Sequence, residues 1–413
     1  MMRRVRSRRR DPRWHATRLA TLALIATACG TTNPAAPPSP TAPASPSATT
    51  STASATPSPS PSPCAAAAVI ATWPLARRAA QLVAVPAIDG HITALDAVIA
   101  QGAGGILVLG SAAPDLRQQI STAQTAATVP LMIMADQEGG GVQRLGQLVQ
   151  SLPWPRDMAQ TMTAPAVESA AATLAAQMRS LGVSVDLAPV LDVDGGPGPS
   201  TSNPDGSRSF SADPATASTY GLAFASGLRT SGVLPVVKHF PGLGGSTANT
   251  DTGPANTLPY ATLQTAGLPP FRQAISAGLP AIMVANAAVP GLTTGPASLS
   301  TAAITGLLRQ QLAFTGLVLT DSLSAGAITA AGFALPDASV AAITAGADMV
   351  LFGSTLTAAE TALLSPDHVA ASVTAIVQAL VGAVQSGHLQ VSRLNDAVMH
   401  VLAAKGVDVC AAR

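Results

Sequence analysis

Seven polar side chains stand where apolar runs of this chain stop: Asp136, Asp192, Asp194, Lys238, His239, Asn286 and Asp321. Only 10% of the residues are charged, so this placement is a pattern rather than background. Carboxylates can act as nucleophiles or as general acids and bases, and a lysine and a histidine beside them can hold a polar substrate by directional hydrogen bonds. Each residue alone reads as a cap at a loop start or as a solvated charge. At the ends of successive strands they define one rim, and a rim favours a site.

The strands that must position them are short runs rich in β-branched and aliphatic residues. Eight are predicted, at Leu82–Ala87, Gly105–Gly110, Leu131–Asp136, Val183–Asp192, Val233–Phe240, Ala281–Ala287, Leu317–Ser322 and Met349–Gly353. Most are apolar on both faces, as parallel strands covered by helices must be. Ala-rich stretches of helical periodicity lie between them, among them Ala164–Leu181, Ala215–Thr230 and Ala302–Leu312. Eight such units predict an α/β fold of the (β/α)8 TIM-barrel class, in which chemistry sits where strands end. The rival, a doubly wound open sheet, lacks a Gly-rich phosphate fingerprint after its first strand.

The chain ahead of the barrel reads differently. Eight arginines and one acid fill the first eighteen residues, and an uncharged apolar run from Leu19 to Ala28 ends at Cys29. That is the layout of a secretory signal, too short to cross a bilayer core of about twenty helical residues. Ala26-Thr27-Ala28-Cys29-Gly30 resembles a bacterial lipobox, which marks Cys29 for lipidation; plain cleavage and secretion is the alternative. Residues 1–29 are thus expected to be the leader and 30–63 a disordered Pro/Ser/Thr/Ala spacer. Residues 64–413 are expected to form the barrel. Without the leader, 14 basic residues face 20 acidic ones. No basic patch argues for nucleic acid, and the membrane is met through the lipid anchor alone. Cys64 and Cys410, at the two ends of the folded region, invite a disulfide in an oxidising compartment. No Cys/His cluster has metal-ligand spacing, and neither a cofactor nor a structural metal is expected.

Three segments go beyond pattern: Ala135-Asp136-Gln137-Glu138-Gly139-Gly140-Gly141-Val142-Gln143-Arg144, Lys238-His239-Phe240-Pro241-Gly242 and Thr320-Asp321-Ser322-Leu323. They resemble family 3 glycoside hydrolases, and within them the single-domain bacterial β-N-acetylhexosaminidases, some of which are surface lipoproteins. Supporting stretches such as Leu187–Val193, Arg208-Ser209-Phe210 and Ala345–Met349 extend the likeness over most of residues 70 to 405. The resemblance implies a monomeric enzyme on a carbohydrate substrate, with Asp321 as the nucleophile of a retaining mechanism. It implies that Asp136, Arg144, Arg208, Lys238 and His239 bind sugar hydroxyls, with Lys238 beside Asp321. Glu138, Gly139 and Gly140 are expected to hold their loop in shape.

One loop departs from the resemblance. After Lys-His-Phe-Pro-Gly these enzymes carry an Asp/His acid/base pair, whereas here the positions read Asn249 and Asp251 in Leu243–Asp251. Ser322 likewise stands where a second aspartate often follows the nucleophile. Two readings follow: a retaining glycosidase with Asp251 as its acid/base, or a catalytically silent glycan-binding protein on the same scaffold. In the second, Asn249 and Asp251 form only an Asx-type turn in a mobile loop.

Overall fold

The computed structural model describes residues 66–355, 358–408 and 410. The leader, Cys29, the spacer and Cys64 lie outside the described residues. Eight barrel strands are present: β1 (Val83–Ile88), β2 (Gly105–Leu109), β3 (Met132–Ala135), β4 (Val185–Asp186), β5 (Leu234–Phe240), β6 (Ala281–Val284), β7 (Leu317–Thr320) and β8 (Val350–Leu351). Their order in the sheet is β8-β1-β2-β3-β4-β5-β6-β7, and every neighbouring pair is parallel. A parallel bridge from Leu319 to Met349 brings the two ends together. This is the expected TIM-type barrel, and its strands are buried almost throughout because helices cover them outside and side chains fill them inside.

The fourth strand is shorter than the sequence predicts. The segment up to Asp192 still runs between its neighbours, with Leu187 N–H donating to Ala135 O and Leu191 N–H donating to Lys238 O. Pro189, after a cis bond from Ala188, has no N–H to give. Regular pairing with β5 stops at Asp186, and beyond it Lys238 N–H donates to Pro189 O and Val190 bridges to Lys238.

The helices follow their local signals. Helix Ala164–Leu181 starts where the Thr163 hydroxyl accepts from Ala166 N–H and stops at Gly182, which has φ 92°. Helix Pro214–Thr230 starts where the Asp213 carboxylate accepts from Thr216 N–H. The segment Ala302–Gln311 is helical as expected but wider. Its amides reach back five residues, as Gly306 N–H does to Thr301 O. Helix Pro366–Gln385 is long and apolar enough to span a membrane by composition. Its buried stripe of Val369, Val373, Ile376 and Leu380 instead packs against the barrel, each side chain contributing about 1.5–3 kcal/mol through burial.

The amino-terminal pole is locked by one carboxylate. Asp348, fully buried just before β8, accepts from Arg309 at 2.5 Å, Arg393 at 2.6 Å, His400 Nδ1 at 3.0 Å and the Val318 amide at 2.9 Å. These partners come from the helices Ala302–Gln311 and Val391–Ala404 and from β7, so one side chain ties three elements together. Burial alone would raise its pKa. The hydrogen bond from His400 and the charges around it outweigh burial and hold the carboxyl below its ordinary range.

Candidate active site

Just past β3 the chain turns into a hairpin of Gln137–Gly139 and Val142–Gln143. Gly139 and Gly140 both have positive φ. A Cβ on Gly140 would lie 1.9 Å from the Trp154 ring, so only glycine fits. The hairpin delivers Glu138 to the barrel mouth, where it is 1% exposed. Arg208 grips it with two bonds of 2.8 Å from Nε and Nη2, and Lys238 Nζ lies 2.7 Å away. Lys238 also donates to Asp136 at 2.6 Å. Its expected neighbour Asp321 is not the partner; the two carboxylates from the β3 end take the ammonium instead.

This network fixes charge states. Burial drives the Glu138 carboxyl upward, but the charges of Arg208 and Lys238 and their hydrogen bonds prevail and hold it well below the carboxylate range. Burial would lower Lys238, yet Asp136 and Glu138 raise it above the ordinary lysine value. Beneath them Asp186, fully buried on β4, is pushed up to about 8 by burial, against one hydrogen bond from the Gln137 amide and the charge of Lys238. His239 is oriented by Asp192, whose Oδ2 lies 2.6 Å from Nδ1 and accepts the His239 amide at 3.0 Å. Asp192 Oδ1 accepts the Leu243 amide at 2.6 Å, which anchors the start of the next loop.

That loop is not loose. Asn249 Oδ1 accepts the Asp251 amide at 2.9 Å, the expected Asx-type turn. Asp251 O accepts Gly326 N–H and Thr250 O accepts Ala327 N–H. The turn is therefore pinned to the first residues of the helix Gly326–Ala330, which follows β7 and Asp321. A Cβ on Gly326 would lie 2.9 Å from Asp251 O and closer still to Thr252, so the fit depends on glycine.

One cavity of about 370 Å³ at the carboxyl ends of the strands is lined by Asp136, Arg144, Arg208, Lys238, His239, Asp251 and Asp321. Every catalytic and sugar-binding residue expected from the sequence faces this one space. Asp321 Oδ1 accepts the Ser322 amide at 2.7 Å, and Arg144 Nε has no hydrogen-bond partner among the described residues. The Asp251 carboxyl is pushed up to about 6, first by burial and then by the negative charge of Asp321, with Arg208 and His239 opposing. Three rim residues do other work. Asn286 donates to Ser322 O at 2.6 Å and accepts from Ser298, Asp194 takes up Arg156 and the Gly196 amide, and Asp192 serves His239. A larger cavity, about 650 Å³, opens at the opposite pole around Arg117, Arg179 and Lys405. Among the described residues no carboxylate lines it.

Asp186 and Asp205 escaped the sequence reading. Asp186 sat inside an apolar strand run, and Asp205 lies mid-loop with no local pattern around it. Glu138 was legible as a motif residue but not as the hub of the network, because its partners lie 70 and 100 positions away.

Comparison with known proteins agrees with this geometry. The glycosyl hydrolase family 3 N-terminal domain matches residues 75–404. The chain is 37% identical over 285 residues to the β-hexosaminidase LpqI of Mycobacterium tuberculosis, covering 67% of this chain and 69% of that one. The solved structure of M. tuberculosis LpqI superposes with a TM-score of 0.74 at 33% identity, over 84% of this chain and 97% of that one. The β-N-acetylhexosaminidase of Beutenbergia cavernae gives 0.70 at 32% identity, over 82% and 100%. A carboxylate-rich cavity at the expected end of the barrel and a match that runs from the first helices to the last lead to one assignment: this chain belongs to glycosyl hydrolase family 3, as a glycosidase of O-glycosyl compounds.

Proposed function

We propose that the protein is an exported, retaining, β-N-acetylhexosaminidase-like hydrolase of cell-wall-derived or environmental glycans, with Asp321 as nucleophile and Asp251 as general acid and base. The supporting observation is that Asp251 and Asp321 face one cavity and that burial and the Asp321 charge set the Asp251 carboxyl at about 6. Asp321 attacks the anomeric carbon, the C–O bond to the leaving group breaks, and the leaving oxygen takes the Asp251 proton. Esterification removes the Asp321 charge. The Asp251 pKa then falls, and Asp251 accepts a proton from the water that cleaves the ester. Asp136, Arg144, Arg208, Lys238 and His239 hold the sugar hydroxyls; the ion pairs around Glu138 fix Asp136, Arg208 and Lys238 beforehand, and Asp192 fixes His239.

The decisive test is Asp251→Ala. It is expected to lose most activity on glycosides with poor leaving groups, much less on activated aryl glycosides, and to recover rate with azide. Equal kinetics for parent and variant on both substrate types would leave Asp251 as a turn residue only. No turnover of any aryl hexosaminide by the parent would favour the silent glycan-binding reading.

Export through residues 1–29, with lipid at Cys29, is proposed from the leader pattern; mass spectrometry of the membrane fraction would detect the acylated cysteine. A Cys64–Cys410 bridge is proposed as well. Helix Ala66–Ala71, which starts two residues after Cys64, packs on helix Val391–Ala404, which ends shortly before Cys410. Closing so long a loop is worth up to about 5 kcal/mol. Two free thiols titrated in the exported protein would count against it.

A further inference from the structure

Behind the sugar-facing wall of the cavity, His239 belongs to a second constellation with Asp192 and Asp205. Asp192, Asp205 and His239 are 0%, 0% and 5% exposed, and each offers one ligand atom within 4.8 Å of the other two. They arrive from three parts of the chain: the segment after β4, the loop that carries Arg208, and β5. Their linear spacing has no signature, and only the fold assembles them.

Asp192 and His239 are bonded to each other. Asp205 is not bonded to either, and neither of its carboxylate oxygens has a hydrogen-bond partner among the described residues. The neighbouring guanidinium of Arg208 spends Nε and Nη2 on Glu138 and directs Nη1 to Pro204 O. A buried carboxyl left in this way is neutralised either by a proton or by a cation that displaces it. The other acid/histidine group, Asp348, Asp396 and His400, differs in this respect, because Arg309 and Arg393 already supply its positive charge.

Two carboxylate oxygens and an imidazole nitrogen make a mixed donor set, and two negative charges balance one divalent ion. Imidazole in the set selects against calcium and magnesium and suits zinc, while the two carboxylates also admit manganese. We propose that Asp192, Asp205 and His239 bind one divalent transition-metal cation of the zinc or manganese class. The ion ties the loop of residues 194–208 to the end of β5 and so positions Arg208 and His239 at the cavity. This assignment stands independently of the hydrolytic reading.

The test is calorimetric titration of Zn²⁺, then Mn²⁺, into full-length protein freed of metal by dialysis against chelator, with thermal denaturation alongside. One equivalent of Zn²⁺ is expected to bind per chain with micromolar or tighter affinity and to raise the Tm. Asp205→Asn is expected to weaken binding by at least about 100-fold, and Asp396→Asn to leave it unchanged. Should Asp205→Asn fold poorly, Asp205→Ser and the shift of the His239 ring signals of the parent on Zn²⁺ addition give the same answer by NMR. No binding by the parent below about 100 µM would overturn the proposal. So would affinity that survives both Asp205 variants, or His239 ring signals that do not move.

Discussion

The two poles of the barrel use buried carboxyls in opposite ways. At the amino-terminal pole Asp348 is surrounded by Arg309, Arg393, His400 and an amide, and its proton is held off. At the carboxyl-terminal pole Asp251 sits near Asp321 with no ion pair among the described residues, and its proton is held on up to about 6. One carboxyl is a fastener and the other is poised to exchange a proton near neutrality. Between them lies the Glu138 network, which behaves like the fastener although it stands at the mouth of the cavity. Ion pairing therefore distinguishes the carboxyls that fasten from Asp251, the proposed acid and base.

The largest effect that could break this contrast is on turnover. Asp321→Ala is expected to lower kcat on the order of 10³–10⁵-fold while sugar binding, measured by calorimetry, stays close to parental. A fluorosugar inactivator should label Asp321 and no other residue in the mass spectrum. Next comes Asp251→Ala, expected to cost roughly 10²–10⁴-fold on unactivated substrates. Both variants should melt near the parental temperature, because neither residue carries an ion pair among the described residues.

Asp348→Asn should do the reverse. Removing one partner from a buried, paired cluster costs about 3–5 kcal/mol, so denaturant unfolding is expected to shift while kcat of the folded fraction does not. The sign with pH follows from its depressed pKa. The contribution of Asp348 is complete above the unfolded carboxylate value and is lost as pH falls through the folded one.

The smallest effect is the pH dependence set by Asp186. Its folded pKa, about 8, lies above the unfolded one. The native state therefore keeps a proton that the unfolded chain releases, and stability falls as pH rises from about 4 to 8. Asp186→Asn keeps an acceptor for the Gln137 amide and removes this slope. It is expected to be more stable than the parent at pH 8 by a few kcal/mol on the order-of-magnitude scale of that shift, with the two converging near pH 4. Parallel stability curves would show that Asp186 is not protonated in the native state.

The barrel was legible because its strands are apolar on both faces and regularly spaced, and each of the eight predicted runs holds a strand. The fourth was overextended because apolar composition persists through Leu191, whereas regular pairing stops at Asp186 and resumes only as the Val190–Lys238 bridge. Of the candidate site, the residues at strand ends could be read in order. What each one touches could not. Lys238 finds Asp136 and Glu138 across the barrel mouth rather than Asp321, Asn286 braces Ser322 from below, and Asp205 gains meaning only beside Asp192 and His239. The Asx turn at Asn249 was readable from residue type. Its anchoring to Gly326 was not, since that contact joins loops 75 residues apart.

The central claim is that Asp251 delivers a proton. The pH dependence of kcat/KM on an unactivated hexosaminide, for parent and Asp251→Ala, tests it most directly. The account predicts that the parent loses activity as pH rises through about 6, the value set by burial and by Asp321, and that this basic limb is absent from the variant. A parent and variant that share the same basic limb would contradict it.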